Sequence, residues 1–170
     1  APALAVAYQE AKPVFVDAEP KSWTIDVNKI EEKITKKTKA ILPVHIYGHP
    51  CDMDPIMEIA EKHNLFVIED AAEAHGALYK GKKIGSFGNI NAFSFYSNKV
   101  ITCGEGGMAV TDDDKLAERA RDLRNFCFDK ERRFIHSEIG FKYSLSNILA
   151  AIGFAQLERI EDIIKKKIAI

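Results

Sequence analysis

FSFYSNKVITCGEGG, residues 93–107, joins the end of one apolar alternation to the start of a second strand at Met108. Phe93 and Phe95 alternate with Ser94 as a half-buried strand does, so Ser94 is expected to face away from the phenylalanines. Lys99 follows in a polar loop at the strand's carboxyl end. In an open parallel α/β sheet, ligands collect at that end, because the loops there vary while the strands hold them in place. A lysine so placed is a candidate nucleophile toward a carbonyl once it sheds its proton, which desolvation or a neighbouring cation eases. Taken alone, a solvated loop lysine is the commoner occupant of such a position.

Working outward, LFVIEDAAEAHGA (residues 65–77) reads as a buried strand whose carboxyl end carries Asp70, Glu73 and His75. An apolar strand that ends in an acid places the acid at the same rim of the sheet, so Asp70 and Lys99 are expected to face one pocket. Further out, a short strand is expected over 14–16 and another over 40–45. Asp26 is expected to cap a helix with Val27, Ile30 and Ile34 on its buried side. A helix starts near Asp54 and Pro55, with Asn64 as a left-handed stop. Glycines break any period over 78–89, Met108–Thr111 continues the sheet, and Asp112–Asp114 open a helix lined by Leu116, Ala120 and Leu123. Residues 126–143 are irregular, aromatic and basic, and one long helix from about Ser144 is expected to bury Leu145, Ile148, Leu149, Ile152, Ile160 and Ile163. Strands separated by helices of this length imply crossover units, hence an α/β fold with a mostly parallel sheet and helices on both faces.

Composition narrows the function. The 24 lysines and arginines nearly balance 25 acids, which offers no global attraction to nucleic acid or an anionic membrane. The apolar runs are far shorter than the roughly 20 residues that cross a bilayer. Cys51, Cys103 and Cys127 form no CxxC pair, which suits a reducing compartment, so a cytoplasmic location is expected. GALYKGKK (76–83) nearly spells a P-loop, but Lys83 stands where the magnesium-binding hydroxyl belongs. His45, His49 and Cys51 lack the further ligands that a structural zinc site needs, so no metal is expected. The chain opens on APALAVAYQ as if inside a helix and reads as the middle of a longer protein.

With Asp70, Ser94 and Lys99 placed, the sequence resembles the DegT/DnrJ/EryC1/StrS family of pyridoxal-phosphate sugar aminotransferases. AKPVFVD, LPVHIYGHPCDMD, VIEDAAEAHGA, FSFYSNKVITCGEGGM and SNILAAIGFAQLERI occur in the family's order, and the resemblance extends over almost the whole chain. The resemblance implies the central part of the large domain of a fold-type I aminotransferase, residues 1–170 being a partial cofactor-binding domain without the N-terminal segment and the C-terminal small domain. It implies pyridoxal 5'-phosphate as cofactor, with Lys99 as its Schiff-base lysine, Asp70 paired with the pyridine nitrogen, Ser94 on the phosphate and Glu73 near the ring oxygen. A carboxylate about 4 Å from that nitrogen favours its protonated form by about 4 kcal/mol at an effective dielectric of about 20.

A dehydrating branch of the family carries histidine at the position of Lys99, so amino transfer is expected. The implied partners are a nucleotide-linked 4-keto-6-deoxy sugar and glutamate, within a homodimer that shares its active sites. GFKYS (140–144) stands where the family usually has GYNYR or GFNYR, which puts Lys142 in place of an asparagine that reaches the neighbouring subunit's cofactor phosphate. RNFC (124–127) replaces the more usual RNHG. A non-catalytic binding or regulatory protein, or an aminotransferase for a UDP- or dTDP-linked sugar, would carry the same motifs.

Overall fold

β-Branched and apolar runs set the strands. The computed structural model describes residues 1–132 and 134–170, which fall into two units, 1–93 and 94–170. In the first unit, β1 (Ala40–Ile41) pairs with β2 (Phe66–Asp70), which pairs in turn with β5 (Ile90–Ser94), both in parallel. The register sets Ile41 beside Val67, Glu69 beside Asn91, and Asp70 beside Ala92. α2 (Met53–His63) is the crossover between β1 and β2 and packs on both.

Met53, Ile56 and Ala60 form the helix's buried stripe, and they meet Ile30, Ile41, Val67, Ala71 and Ile84 in one apolar cluster. Asn64 stops α2 in the left-handed conformation, as its short polar side chain allows. α1 (Pro2–Tyr8) starts on a proline that lacks the N–H a helix leaves unused. A two-stranded antiparallel hairpin, β3 (Leu78–Tyr79) with β4 (Lys82–Lys83), occupies part of the stretch expected to be loop.

Other expectations are corrected. Residues 14–16 join no ladder, and Val14 and Phe15 are exposed, because an extended segment without a paired neighbour satisfies no strand hydrogen bonds. Asp26 does cap, accepting the Asn28 N–H at 3.1 Å, but the cap opens two single 3-10 turns, 27–29 and 31–33, in place of a helix. The β-branched residues at 27, 30 and 34 and the shortness of the segment leave it below the length at which an α-helix sustains itself. The strand expected over 40–45 shrinks to two residues, with Val44 adding an isolated parallel bridge to Asp70.

The second unit holds β6 (Gly107–Val110), α3 (Asp114–Arg124), α4 (Asn147–Leu157) and α5 (Ile160–Ile168). Asp113 caps α3 through the N–H groups of Lys115 and Leu116, and Ser146 caps α4 through Leu149. The single long helix expected from Ser144 is two helices that break at Glu158–Arg159. Its expected buried stripe is also corrected: Ile148 is 76% exposed and Ile152 48%, and Gly153 is the buried residue of α4. Periodicity finds an apolar face but not what covers it. Between α3 and α4, antiparallel bridges Asn125–Lys142 and Phe128–His136 order the aromatic and basic segment 126–143, of which Arg133 lies outside the described residues.

Candidate active site

In the first unit the carboxyl end of β2 is held on both sides. The Asp70 N–H donates to Pro43 O at 2.9 Å, its carbonyl accepts the His45 N–H at 3.1 Å, and the next residue, Ala71, donates to Ala92 O. Asp70 is half-buried, and its Oδ1 accepts the Ala72 N–H at 3.1 Å, which turns the chain at the rim. Its Oδ2 takes no hydrogen bond among the described residues. Glu73, one turn further on, accepts the Tyr47 N–H at 2.8 Å. Tyr47 has a φ of 52°, so this bond fixes a left-handed bend in the loop after β1. His75 is buried with its ring 5.3 Å from that of Phe93.

Directly behind Asp70 lies a polar node that sequence reasoning missed. Glu69 is fully buried, and its carboxylate accepts N–H groups of Gly85 (2.8 Å), Phe87 (2.7 Å) and Gly88 (2.7 Å). Its Oε2 also lies 3.2 Å from His45 Nε2. His45 Nδ1 accepts the Cys51 N–H at 3.0 Å, so the ring proton sits on Nε2 and is donated to Glu69. Burial acts to raise the Glu69 ionisation, but the His45 donor and the N–H groups of Gly88, Gly85 and Phe87 outweigh it and hold the carboxyl below its ordinary 4.5.

Asn91, the register partner of Glu69, donates to Gly85 O (3.0 Å) and Gly88 O (3.2 Å) and closes the node. Gly85 is required there: its φ is 85°, and a Cβ would meet Phe93 Cζ at 2.3 Å. Burial pushes the neighbouring Cys51 thiol up to about 11, which leaves it inert as a nucleophile at neutral pH. The signal that could have revealed Glu69 is alternation, since counting from Val67 puts Glu69 on the buried face, where a charge needs partners.

In the second unit Ser94 and Lys99 are tied through one residue. Ser94 Oγ accepts the Tyr96 N–H at 3.2 Å, and the Tyr96 carbonyl accepts the Lys99 N–H at 3.0 Å. The loop that carries Lys99 is closed at its base. Phe95 O accepts both the Cys103 N–H and the Thr102 hydroxyl at 2.9 Å, while the Phe95 N–H donates to Gly106 O at 2.8 Å. Lys99 itself is half-buried. Lys142 lies on a different segment, exposed, with its ammonium 3.2 Å from Ser144 O and its backbone bridged to Asn125. Asp70 and Glu73 therefore share the rim of the first unit, Ser94 and Lys99 share one loop base in the second, and Lys142 lies on another segment of that second unit.

These features define an α/β protein with an acid, a hydroxyl and an amine at carboxyl ends of its strands. Compared with known proteins, the chain matches the DegT/DnrJ/EryC1/StrS aminotransferase family over residues 1–170, and it belongs to that family. It is 52% identical over 163 residues to a GDP-perosamine synthase of Escherichia coli O157:H7, covering 96% of this chain and 45% of that one. It is 55% identical over 162 residues to a GDP-perosamine synthase of Caulobacter vibrioides, covering 95% and 44%. Among solved structures, DesV of S. venezuelae superposes with a TM-score of 0.89 at 42% identity, covering 95% of this chain and 43% of that one. The chain thus spans less than half the length of the curated relatives it matches, and its α/β fold is that of this family's aminotransferases.

Proposed function

We propose that this chain forms part of the pyridoxal-phosphate-binding large domain of a nucleotide-sugar aminotransferase, one that converts GDP-4-keto-6-deoxymannose to GDP-perosamine with glutamate as amino donor. The observation that carries the reading is the Ser94–Tyr96–Lys99 tie, which sets a hydroxyl and an amine at the base of one closed loop. The donor set fits the cofactor's chemistry: an amine for its aldehyde, a hydroxyl for its phosphate, and in Asp70 a carboxylate with an uncommitted oxygen for its ring nitrogen. The identities of 52% and 55% to GDP-perosamine synthases support the GDP-linked sugar.

When bound, pyridoxal phosphate supplies an electron sink for the donor's α-carbon. Asp70 would hold the ring nitrogen protonated, and the Ala72 N–H on its Oδ1 keeps the carboxylate from rotating away. Ser94 would hold the phosphate with its hydroxyl proton, since its oxygen already accepts from Tyr96. Lys99 Nζ would bind the cofactor and, once released by the amino donor, carry the proton between the donor's α-carbon and the cofactor. Glu73, anchored by Tyr47, would stand near the ring oxygen.

Lys142 is assigned to the phosphate of a neighbouring subunit's cofactor as a point charge, within a homodimer that shares its sites. No described helix is long and apolar enough to cross a membrane, and the three unpaired cysteines support a cytoplasmic enzyme.

The test is to incubate the full-length protein with pyridoxal phosphate, reduce with borohydride and map the adduct by mass spectrometry. An adduct on Lys99 that Lys99→Arg abolishes is the expected result, and its absence from Lys99 overturns the mechanism. Amination of GDP-, UDP- and dTDP-linked keto sugars by glutamate then identifies the nucleotide.

A further inference from the structure

The Lys99 loop is braced from α4 by the side chain of Gln156. Gln156 on α4 accepts the Thr102 N–H at 3.0 Å through Oε1 and donates to the Thr102 carbonyl at 2.6 Å through Nε2. Its planar amide thus pairs with both backbone groups of one residue, as an adjacent strand would, and fixes how the chain leaves the loop. A further bond from Nε2 to Ile152 O at 3.0 Å anchors the amide to its own helix.

Thr102 relays that constraint to the start of the loop. Its hydroxyl donates to Phe95 O at 2.9 Å and accepts the Gly104 N–H at 2.8 Å. Entry and exit are therefore clamped around the segment that includes Lys99. α4 is also seated against the loop's exit at a second point: a Cβ on Gly153 would lie 2.5 Å from Cys103 Sγ, so the helix comes this near only because residue 153 is glycine.

We infer that Gln156 is a positioning residue: through Thr102 it holds the Lys99 amine where the cofactor's aldehyde must meet it. The inference rests on the reading of Lys99 as the cofactor lysine. A loop free to swing about Tyr96 would present the amine over a wide arc, and even a displacement of about 1 Å from the productive geometry can cost about a hundredfold in rate. Gln156→Met keeps the volume and helix propensity but can neither donate nor accept as the amide does. Thr102→Val cuts the same relay while leaving α4 intact.

In the full-length protein stripped of cofactor, pyridoxal phosphate is added and the growth of lysine-bound absorbance is timed. The visible circular dichroism per bound cofactor is then read at saturation, and the site is mapped by borohydride reduction. Both variants are expected to load roughly tenfold more slowly and to lose half or more of the circular dichroism, with the melting temperature of the cofactor-free protein changed by only a few degrees. A wild-type rate and a wild-type signal in Gln156→Met overturn the inference, even if its melting temperature falls, because that pattern is support of the fold alone. Should Gln156→Met not fold, Thr102→Val decides on the same two readouts. Failure of the wild-type protein to label at Lys99 is a different outcome, which removes the functional reading and the inference with it.

Discussion

In residues 1–93 the buried apolar set runs from Ile30 to Ile84 and forms one cluster, with a fully buried carboxylate, Glu69, beside it. In residues 94–170 the buried positions among the described residues are Ile101, Cys103, Cys127 and Gly153, while Ile148, Ile152, Phe154 and Leu157 stand exposed on α4. The first unit fixes its rim from beneath, through a satisfied polar node under the loops. The second fixes its lysine loop from the side, through backbone-directed bonds of Gln156 and Thr102. A rim built on a buried charge is rigid but fails abruptly when one partner is removed, whereas a rim built on half-exposed bonds loosens by degrees.

The sharpest way to break that contrast is Glu69→Ala. It leaves the buried Gly85 N–H and His45 Nε2–H and the part-buried N–H groups of Phe87 and Gly88 without their acceptor, and it should cost about 3–5 kcal/mol in urea denaturation. A loss under about 1 kcal/mol would mean that the 84–89 loop is held by other contacts. The same node sets an acid limit. Because folding depresses the Glu69 ionisation below its ordinary 4.5, its contribution is complete above that value and is lost as pH falls through the lower folded one. Wild type should therefore lose stability below about pH 4.5, and Glu69→Gln should flatten that part of the profile.

The difference between the units also decides what could be read from the sequence. Local signals carried their elements: Asn64 as a left-handed stop, Asp26 as a cap, Asp113 at the start of α3, and the acid-terminated strand that ends at Asp70. Glu69 gives no local signal of its partners because its donors lie 16 to 24 residues away, three in a stretch with no period and the fourth, His45, before α2. Gln156 was hidden for the same reason at a longer range, since Thr102 is 54 residues distant. The stripe on α4 was legible as apolar but not as exposed, because burial belongs to the neighbour and not to the helix. Residues 27–34 were legible at the cap and illegible beyond it, where burial of Ile30 alone did not sustain a continuous helix.

A middle-sized effect tests whether α4 is seated on the lysine loop. Gly153→Ala gains helix propensity worth about 1 kcal/mol but sets a methyl 2.5 Å from Cys103 Sγ, an overpacking that costs about 1–3 kcal/mol. The single variant should be less stable by about 1 kcal/mol. In a Cys103→Ala background the clash is gone, and the same change should become stabilising by somewhat under 1 kcal/mol. The reversal of sign is the informative result: a Gly153→Ala variant that stabilises in both backgrounds would detach α4 from the loop that carries Lys99.

The smallest effect bears on the exposed face of α4. Ile56, fully buried in the first unit, should lose about 2–5 kcal/mol as alanine, because the cavity it leaves is lined by a packed cluster. Ile148 has the same side chain and is 76% exposed, so Ile148→Ser should move the stability of this chain by no more than about 0.5 kcal/mol. The serine at Ser146 already caps the helix, so a second hydroxyl two residues on adds no competing N-cap. What the change removes is part of an apolar stripe facing water, which raises solubility without touching the fold. The two isoleucines thus isolate burial from residue type, and a penalty at Ile148 approaching that at Ile56 would mean that the face is covered and that the units are built alike.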